Sequence, residues 1–318
     1  MKILLFALAL LLPALGAAQP YPAKPVRIIV PAQPGGGLDL IGRTVADQLS
    51  RALQQSFIVE NSSGGGGAIA SMTVARATPD GYTLMVGYVA THATNPAVRK
   101  VPYDAVKDFT PIAMIGGTRN LLVVHPDVPV SDLKGFVDYA KAKAGKLAYG
   151  SGGIGTLNHL VMEQFRGAAG FEMITAHFRG IGPAFQGMLG SQIEVMTLGL
   201  AAALPHIRSK KVKPIAVTGL TRHPLLPEVP TFEEAGFKGF DGVQWYGIVG
   251  PANLPPAIVT TLNGEVNKML ADPQFSERLA AEALQPMPMT PAQFGQYMRD
   301  DIAKWTKVAK ERNIELTD

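Results

Sequence analysis

This sequence of 318 residues contains no cysteine. A disulfide framework, thiolate metal sites and thiol nucleophiles are therefore excluded. So is a lipid-anchoring cysteine behind a leader. Charge is sparse at 17%, and the formal net charge of +4 comes without a basic block, which leaves nucleic-acid binding without an electrostatic footprint. Past the first eighteen residues, no apolar run reaches the ~18–20 residues that a spanning helix needs. The phosphate loop G-x-x-x-x-G-K-[ST] is missing, and none of the six histidines belongs to an H-E-x-x-H zinc helix. What is present is a 47% apolar chain, long enough for one large domain or two lobes with real cores.

The first eighteen residues are a separate object. Met1-Lys2 is a short positive start, Ile3 to Leu12 is an unbroken apolar run, and Pro13 precedes the small residues "ALGAA". This pattern predicts a secretory signal peptide over 1–18, cleaved after Ala18 so that the mature chain begins near Gln19. Export with no tether predicts a free protein in a bacterial periplasm.

Downstream, the rhythm is strand, loop, helix, repeated. "VRIIV" and "FIVEN" read as strands. Between them Leu38, Ile41, Val45, Leu49 and Ala52 recur at helical spacing. "GGGG" at 64–67 opens a second helix over about Ala68–Ala77, and "TPDGYTLMVG" is a turn and a strand. "LLVVHP", "KLAYG", "EMITAH" and "KPIAVTG" read as further strands, with Ser131 as the cap of a helix reaching about Lys143. The C-terminal third reads as helical, with capping boxes at Thr231/Glu234 and Thr290/Gln293. Alternating strands and helices predict a parallel or mostly parallel sheet, and two α/β lobes are the economical architecture.

Two glycine loops each end a strand and open a helix: Pro34–Gly37 and Gly150–Gly155. The second, "GSGGIG", matches G-x-G-x-x-G, but the acidic residue a dinucleotide needs would be Glu172, which begins its strand instead of ending it. Ser151 sits in a strand-to-helix turn, yet a nucleophile elbow wants Gly where Tyr149 stands. His159 and Glu163 are four apart on one helix face, with no third metal ligand near. The simplest chemistry left is anion binding. Glycines let a carboxylate approach the unpaired N–H groups of a helix start, and Ser151 and Thr156 add hydroxyl donors.

Longer stretches carry a resemblance. "YPAKPVRIIVPAQPGGGLDLIGRTVADQLS", "VENSSGGGGAIASMTVARATPDGYTLMVG" and "NPAVRKVPYDAVKDFTPIAMI" resemble the substrate-binding proteins of tripartite tricarboxylate transporters, the Bug family. So do "YGSGGIGTLNHLVMEQF", "AVTGLTRHPLLPEVPTFEEAGF" and "WYGIVGPANLPPAIVTTLN", so the resemblance covers the mature chain. It implies an α/β, two-lobed type II periplasmic-binding-protein fold with a ligand cleft between lobes. It also implies a receptor, not an enzyme, that passes a small organic anion to membrane permease subunits. The expected ligand residues are Gly35, Gly36, Gly37, Asp39, Ser151, Gly153, Gly155, Thr156, His159 and Arg179. No cofactor, metal or nucleic acid is expected, and a monomer is. Residues 19–121 with 246–318 would form lobe 1 and residues 122–245 lobe 2, with crossings near Leu121 and Trp245–Val249. Ala32 and Leu198 stand where the family usually has an aromatic residue and an Asp; by this resemblance the two changes would make the cleft roomier or more apolar and disfavour an amino-acid ligand, leaving di- and tricarboxylates, aromatic acids and related anions open. The competing reading is a secreted α/β enzyme on small organic acids, using Ser151, His159 or His177.

Overall fold

A computed structural model of the chain describes residues 21–281 and 283–316. The leader over 1–18 lies outside the described residues. The first lobe opens with β1 (Val26–Val30), α1 (Gly37–Leu53), β2 (Phe57–Asn61), α2 (Ala68–Ala75), β3 (Thr83–Tyr88) and the short α3 (Asn95–Val98). A long strand follows, β4 (Phe109–Val124). The second lobe runs α4 (Leu133–Ala142), β5 (Ala148–Ser151), α5 (Leu157–Ala169), β6 (Ile174–His177), α6 (Ile181–Leu189), β7 (Val195–Gly199), α7 (Leu200–Arg208) and β8 (Lys213–Val217). The chain then returns through β9 (Val243–Pro251), α8 (Pro256–Ala271), α9 (Pro273–Ala281), β10 (Gln285–Pro286) and α10 (Pro291–Glu311).

The strands follow one path, β2-β1-β3-β9-β4-β7-β5-β6, with β8 and β10 paired to β4 off it. Its two ends are parallel, as the βαβ pattern predicts. Its middle is antiparallel, because β9 runs against both β3 and β4. The sheet is therefore mixed, not mostly parallel. β4 is the pivot: Phe109–Arg119 pair with β9, and Asn120–Val124 pair with β7. One strand thus belongs to both lobes, and it changes partner between Arg119 and Asn120.

Both faces of each half-sheet are covered, which is why the strands read as continuous apolar runs. In the first lobe Ile28 faces α1 and α8, while Ile29 packs with α2 and α10 residues. In the second, Leu122 and Val124 face α4 and α5, and Leu121 and Val123 face α6 and α7. Each such fully buried aliphatic side chain contributes roughly 1.5–3 kcal/mol.

Three local expectations are corrected. Asp132, not Ser131, caps α4: its carboxylate accepts the Gly135 N–H at 2.7 Å. The Thr231 hydroxyl accepts the Glu234 N–H at 3.0 Å, but only a turn follows, because Gly236 turns left-handed (φ +89) and ends it. The C-terminal third is not all helix, since β9 is a central strand whose short apolar run carries no helical period. The Thr290/Gln293 capping box is present at α10.

Candidate functional site

The second glycine loop is held by its own side chains. Ser151 is fully buried, with its Oγ 2.6 Å from His177 Nδ1 and accepting the Gly153 N–H at 3.2 Å. The Thr156 hydroxyl donates to the Gly153 carbonyl at 2.7 Å. Gly153 and Gly155 take φ of +129 and +73, and a Cβ on Gly155 would meet Val98 at 2.4 Å, so only glycine suits that turn. The Gly155 N–H donates to His159 Nδ1 at 3.1 Å. That bond needs an unprotonated Nδ1, which puts the ring proton on Nε2, 3.9 Å from the Glu163 carboxylate.

Burial pushes His159 down to about 4 and the fully enclosed His92 to about 3. Both are neutral in the folded protein at pH 7. Below 6.5 the unfolded chain binds protons that these rings refuse, so stability rises with pH across that window. Urea melts should therefore show a lower midpoint at pH 4.5 than at pH 7.5, and His159→Gln should flatten the slope. An unchanged midpoint would contradict neutral burial of these rings.

The Glu163 carboxylate receives the Tyr149 hydroxyl, Arg166 at 2.5 Å and Arg312 at 3.1 Å. Burial opposes its ionisation, but these donors outweigh it and hold the group below the usual carboxylate range. Glu163 is therefore the anion of a buried network joining α5 to the end of α10. Among the described residues no group of three His, Asp or Glu is placed to hold a metal ion.

The first glycine loop is built differently. Gly35–Gly37 are exposed, and the Gly35 N–H donates to Asp39 at 2.9 Å. Asp39 is buried and also accepts from Arg43 at 3.0 Å and Asn61 at 2.8 Å. Arg43 first, then the Gly35 N–H, hold its carboxyl down at about 2. This loop therefore already carries an anion of its own. Ala32 packs against the first-lobe core.

Between the lobes lies a cavity of about 490 Å³. It sits at the carboxyl ends of β3, β5, β6 and β7, where ligands bind in open α/β sheets. The second lobe presents three helix starts to it: Thr156–Asn158 of α5, Gly180–Ile181 of α6, and Gly199 with Ala201–Ala202 of α7. None of the three has a side-chain cap, whereas α4 and α10 do. Their first N–H groups are thus left for another acceptor, and each start carries roughly half a positive charge. Gly152 also lines the cavity, and a Cβ there would stand 3.0 Å from the Ile181 nitrogen. Glycine keeps that N–H approachable. The first lobe contributes Tyr88–Ala90, Thr94 and Asn95; Thr118, Asn120, Gln244 and Tyr246 line the wall from the central strands.

Thr94, Thr118 and Asn158 in this wall are 1%, 6% and 8% exposed. Each has a buried side-chain polar atom with no hydrogen-bond partner among the described residues: the two hydroxyls and the Asn158 amide nitrogen. A buried polar group left unpaired costs about 1–3 kcal/mol. Sequence reading missed all three. The one signal for them was a polar Asn at the first turn of an apolar helix face.

Of the residues singled out in the sequence, Thr156 and Leu198 line this cavity. Ser151, Gly153, Gly155 and His159 shape the loop that carries Ile154 and Thr156 into the wall. Arg179 is exposed beside Gly180, with no ion pair among the described residues. Gly35–Gly37 and Asp39 lie outside the wall, on the same edge of the first lobe. Another concavity of about 450 Å³, between Pro96–Lys100 and the end of α10, lies away from these strand ends. The Ser151–His177 contact has the distance of a nucleophile–base pair, but Ser151 is fully buried beneath its loop.

The chain has known relatives over nearly its whole length. Residues 41–314 match the family described as "Tripartite tricarboxylate transporter family receptor". Protein BugT of Bordetella pertussis is 30% identical over 302 residues, covering 94% of this chain and 93% of BugT. The solved structure titled R. palustris Rpa4515 with adipate superposes with a TM-score of 0.81 at 32% identity, covering 93% of this chain and 99% of that one. MatC (Rpa3494) from Rhodopseudomonas palustris with bound malate does so at 0.76 and 31% identity, covering 91% and 99%. These relatives are receptors and binding proteins, not enzymes, and with two lobes on a shared sheet and matching sequence over nearly its whole length, this chain belongs to the tripartite tricarboxylate transporter receptor family.

Proposed function

We propose that this protein is an extracytoplasmic receptor that binds a small organic carboxylate in the interlobe cavity. It is exported through its leader, works as a monomer, and delivers its ligand to the membrane subunits of its transporter. The observation that carries this reading is the set of three uncapped helix starts around one cavity whose wall also holds unpartnered polar atoms. That adipate and malate appear in the titles of two relatives supports the ligand class. Among the described residues no helix is long and apolar enough to cross a membrane.

Residues 19–121 with 246–318 form one closing body in this reading, and 122–245 the other. They hinge where β4 changes partner and where β9 returns. Closure of this kind selects the filled state. The first glycine loop then comes down on the ligand from lobe 1, its small size allowing the approach.

Gly36→Val tests that role cleanly. Gly36 has an ordinary φ of −86, and a Cβ would find its nearest neighbour at 3.9 Å, so the valine variant should fold. Affinity should fall at least tenfold, on the order of 1.4 kcal/mol. Arg179 is the rival anchor. Binding abolished by Arg179→Ala but within twofold of wild type in Gly36→Val would make the loop a turn and nothing more.

A thermal-shift screen of the mature protein against small carboxylates tests the receptor reading. A ligand at a hundred times its Kd should add about 2.7 kcal/mol of stability. No shift with any carboxylate would contradict the proposal.

A further inference from the structure

We infer that Arg119, the loop at 218–226 and the turn at Ala283 form a clasp across the hinge that favours the open form. The inference rests on the receptor reading above and concerns the balance between its open and closed forms. Arg119 is the last β4 residue paired with β9, and Asn120 is the first paired with β7. Side chains alternate along a strand, so Arg119 points away from the face that Thr118 and Asn120 turn to the cavity. From there its guanidinium reaches into the second lobe. It donates to the Thr221 carbonyl and, at 3.1 Å, to the Thr221 hydroxyl. It also lies directly on Gly219, whose φ is +101 and where a Cβ would stand 2.7 Å from the guanidinium. Only glycine leaves that seat open.

The seat is tied to both crossing strands. The Thr218 hydroxyl accepts the Asn120 N–H at 3.0 Å and donates to the Gly242 carbonyl, just before β9, at 2.8 Å. Farther along the loop, Arg222 bonds Glu234 at 2.8 Å and the Pro227 carbonyl at 3.0 Å, which braces the loop within its own lobe.

The returning chain of the first lobe supplies the other half. Ala283 is 1% exposed and shares an apolar core with Leu226 and Val229 of the second lobe. Its neighbour Leu284 belongs to the core of the first lobe, and Gln285–Pro286 pair with Gly116–Gly117 of β4. His223 is buried against the Ala283 backbone. Ala283 holds a φ of +51, a left-handed conformation that a non-glycine residue keeps only where its surroundings impose it. None of Arg119, Gly219, Thr221, His223 and Ala283 lines the cavity.

When two bodies turn about a pair of strands and the cleft narrows on one face, the opposite face spreads. Contacts on that face are made in the open form and stretched in the closed one. Apparent affinity scales with the fraction of protein in the binding-competent form. Loosening the clasp should therefore tighten binding without touching the ligand.

Small-angle scattering of the free protein, together with titration with succinate, adipate and benzoate, tests this on wild type, Arg119→Ala and Thr221→Val. Arg119→Ala should show a smaller radius of gyration without ligand. It should bind whichever acid the wild type binds about three- to tenfold tighter. Thr221→Val keeps the carbonyl acceptor and should move both readouts the same way by less. An unchanged radius in Arg119→Ala, or an affinity that stays within about twofold or falls, overturns the clasp and leaves the receptor reading standing. Binding of no acid by any of the three proteins counts against the receptor reading, and the radius alone then decides the clasp.

Discussion

Glu163→Ala is expected to destabilise the folded protein by about 3–5 kcal/mol, the cost of removing one partner from a buried ion pair. The substitution strands Arg166, whose side chain is 8% exposed, and removes the acceptor of the Tyr149 hydroxyl. Glu172 also pairs with Arg166 but is 68% exposed, so solvent screens it and it cannot replace Glu163. The loss reaches across the molecule, because Arg312 at the end of α10 bonds the same carboxylate. Beside this network Leu157, Leu160 and Val161 of α5 share an apolar core with Trp245, Phe294 and Trp305. Charge and packing together fix α5, and hence the loop before it, against the returning part of the chain. Urea denaturation of the two proteins at pH 7 measures the difference. A loss under about 1 kcal/mol would place the pair in the class of solvent-screened surface bridges.

Asn158→Leu is expected to move stability and affinity in opposite directions. The Asn158 amide nitrogen is buried and has no hydrogen-bond partner among the described residues. Replacing it with an apolar side chain of similar size removes that penalty, so the free protein should gain about 1–3 kcal/mol. The same change deletes a donor from the cavity wall in the first turn of α5, so carboxylate binding should weaken by about 1.5–3 kcal/mol, or roughly 10- to 150-fold. A residue with only a packing role would not split the two readouts this way. Chemical denaturation without ligand, set beside titration with ligand, checks both halves. Loss of stability together with unchanged affinity would remove Asn158 from the site.

Much of the fold was legible because its signals are local. Val26–Val30, Phe57–Asn61 and the helical spacing from Leu38 to Ala52 each declare their element within a short window. The two-lobed division followed from the repeated βαβ grammar. β9 was not legible, since "WYGIVG" is short and apolar and its pairing partners lie far away in sequence. Nor was the double life of β4, of which only the "LLVVHP" end stood out in the sequence. The site was legible in outline. The loop at 150–155 does bring Gly152 and Ile154 to the cavity wall, with Thr156 beside them at the start of α5. But the sequence could not show that Asp39 would bond its own glycine loop, or that Ser151 would turn inward to His177. Thr94 and Thr118 gave no signal, because a threonine without a partner looks like any other until the neighbours are in place.

The central claim is that the interlobe cavity holds a carboxylate and releases it unchanged. Isothermal titration of the mature protein with a carboxylate that raises its melting temperature, followed by recovery of the ligand, tests this most directly. The account predicts a stoichiometry near one to one, recovery of the unaltered acid, and weakened binding in Asn158→Leu. Steady conversion of the acid to a product, or binding at full strength in Asn158→Leu and Gly36→Val alike, would contradict it.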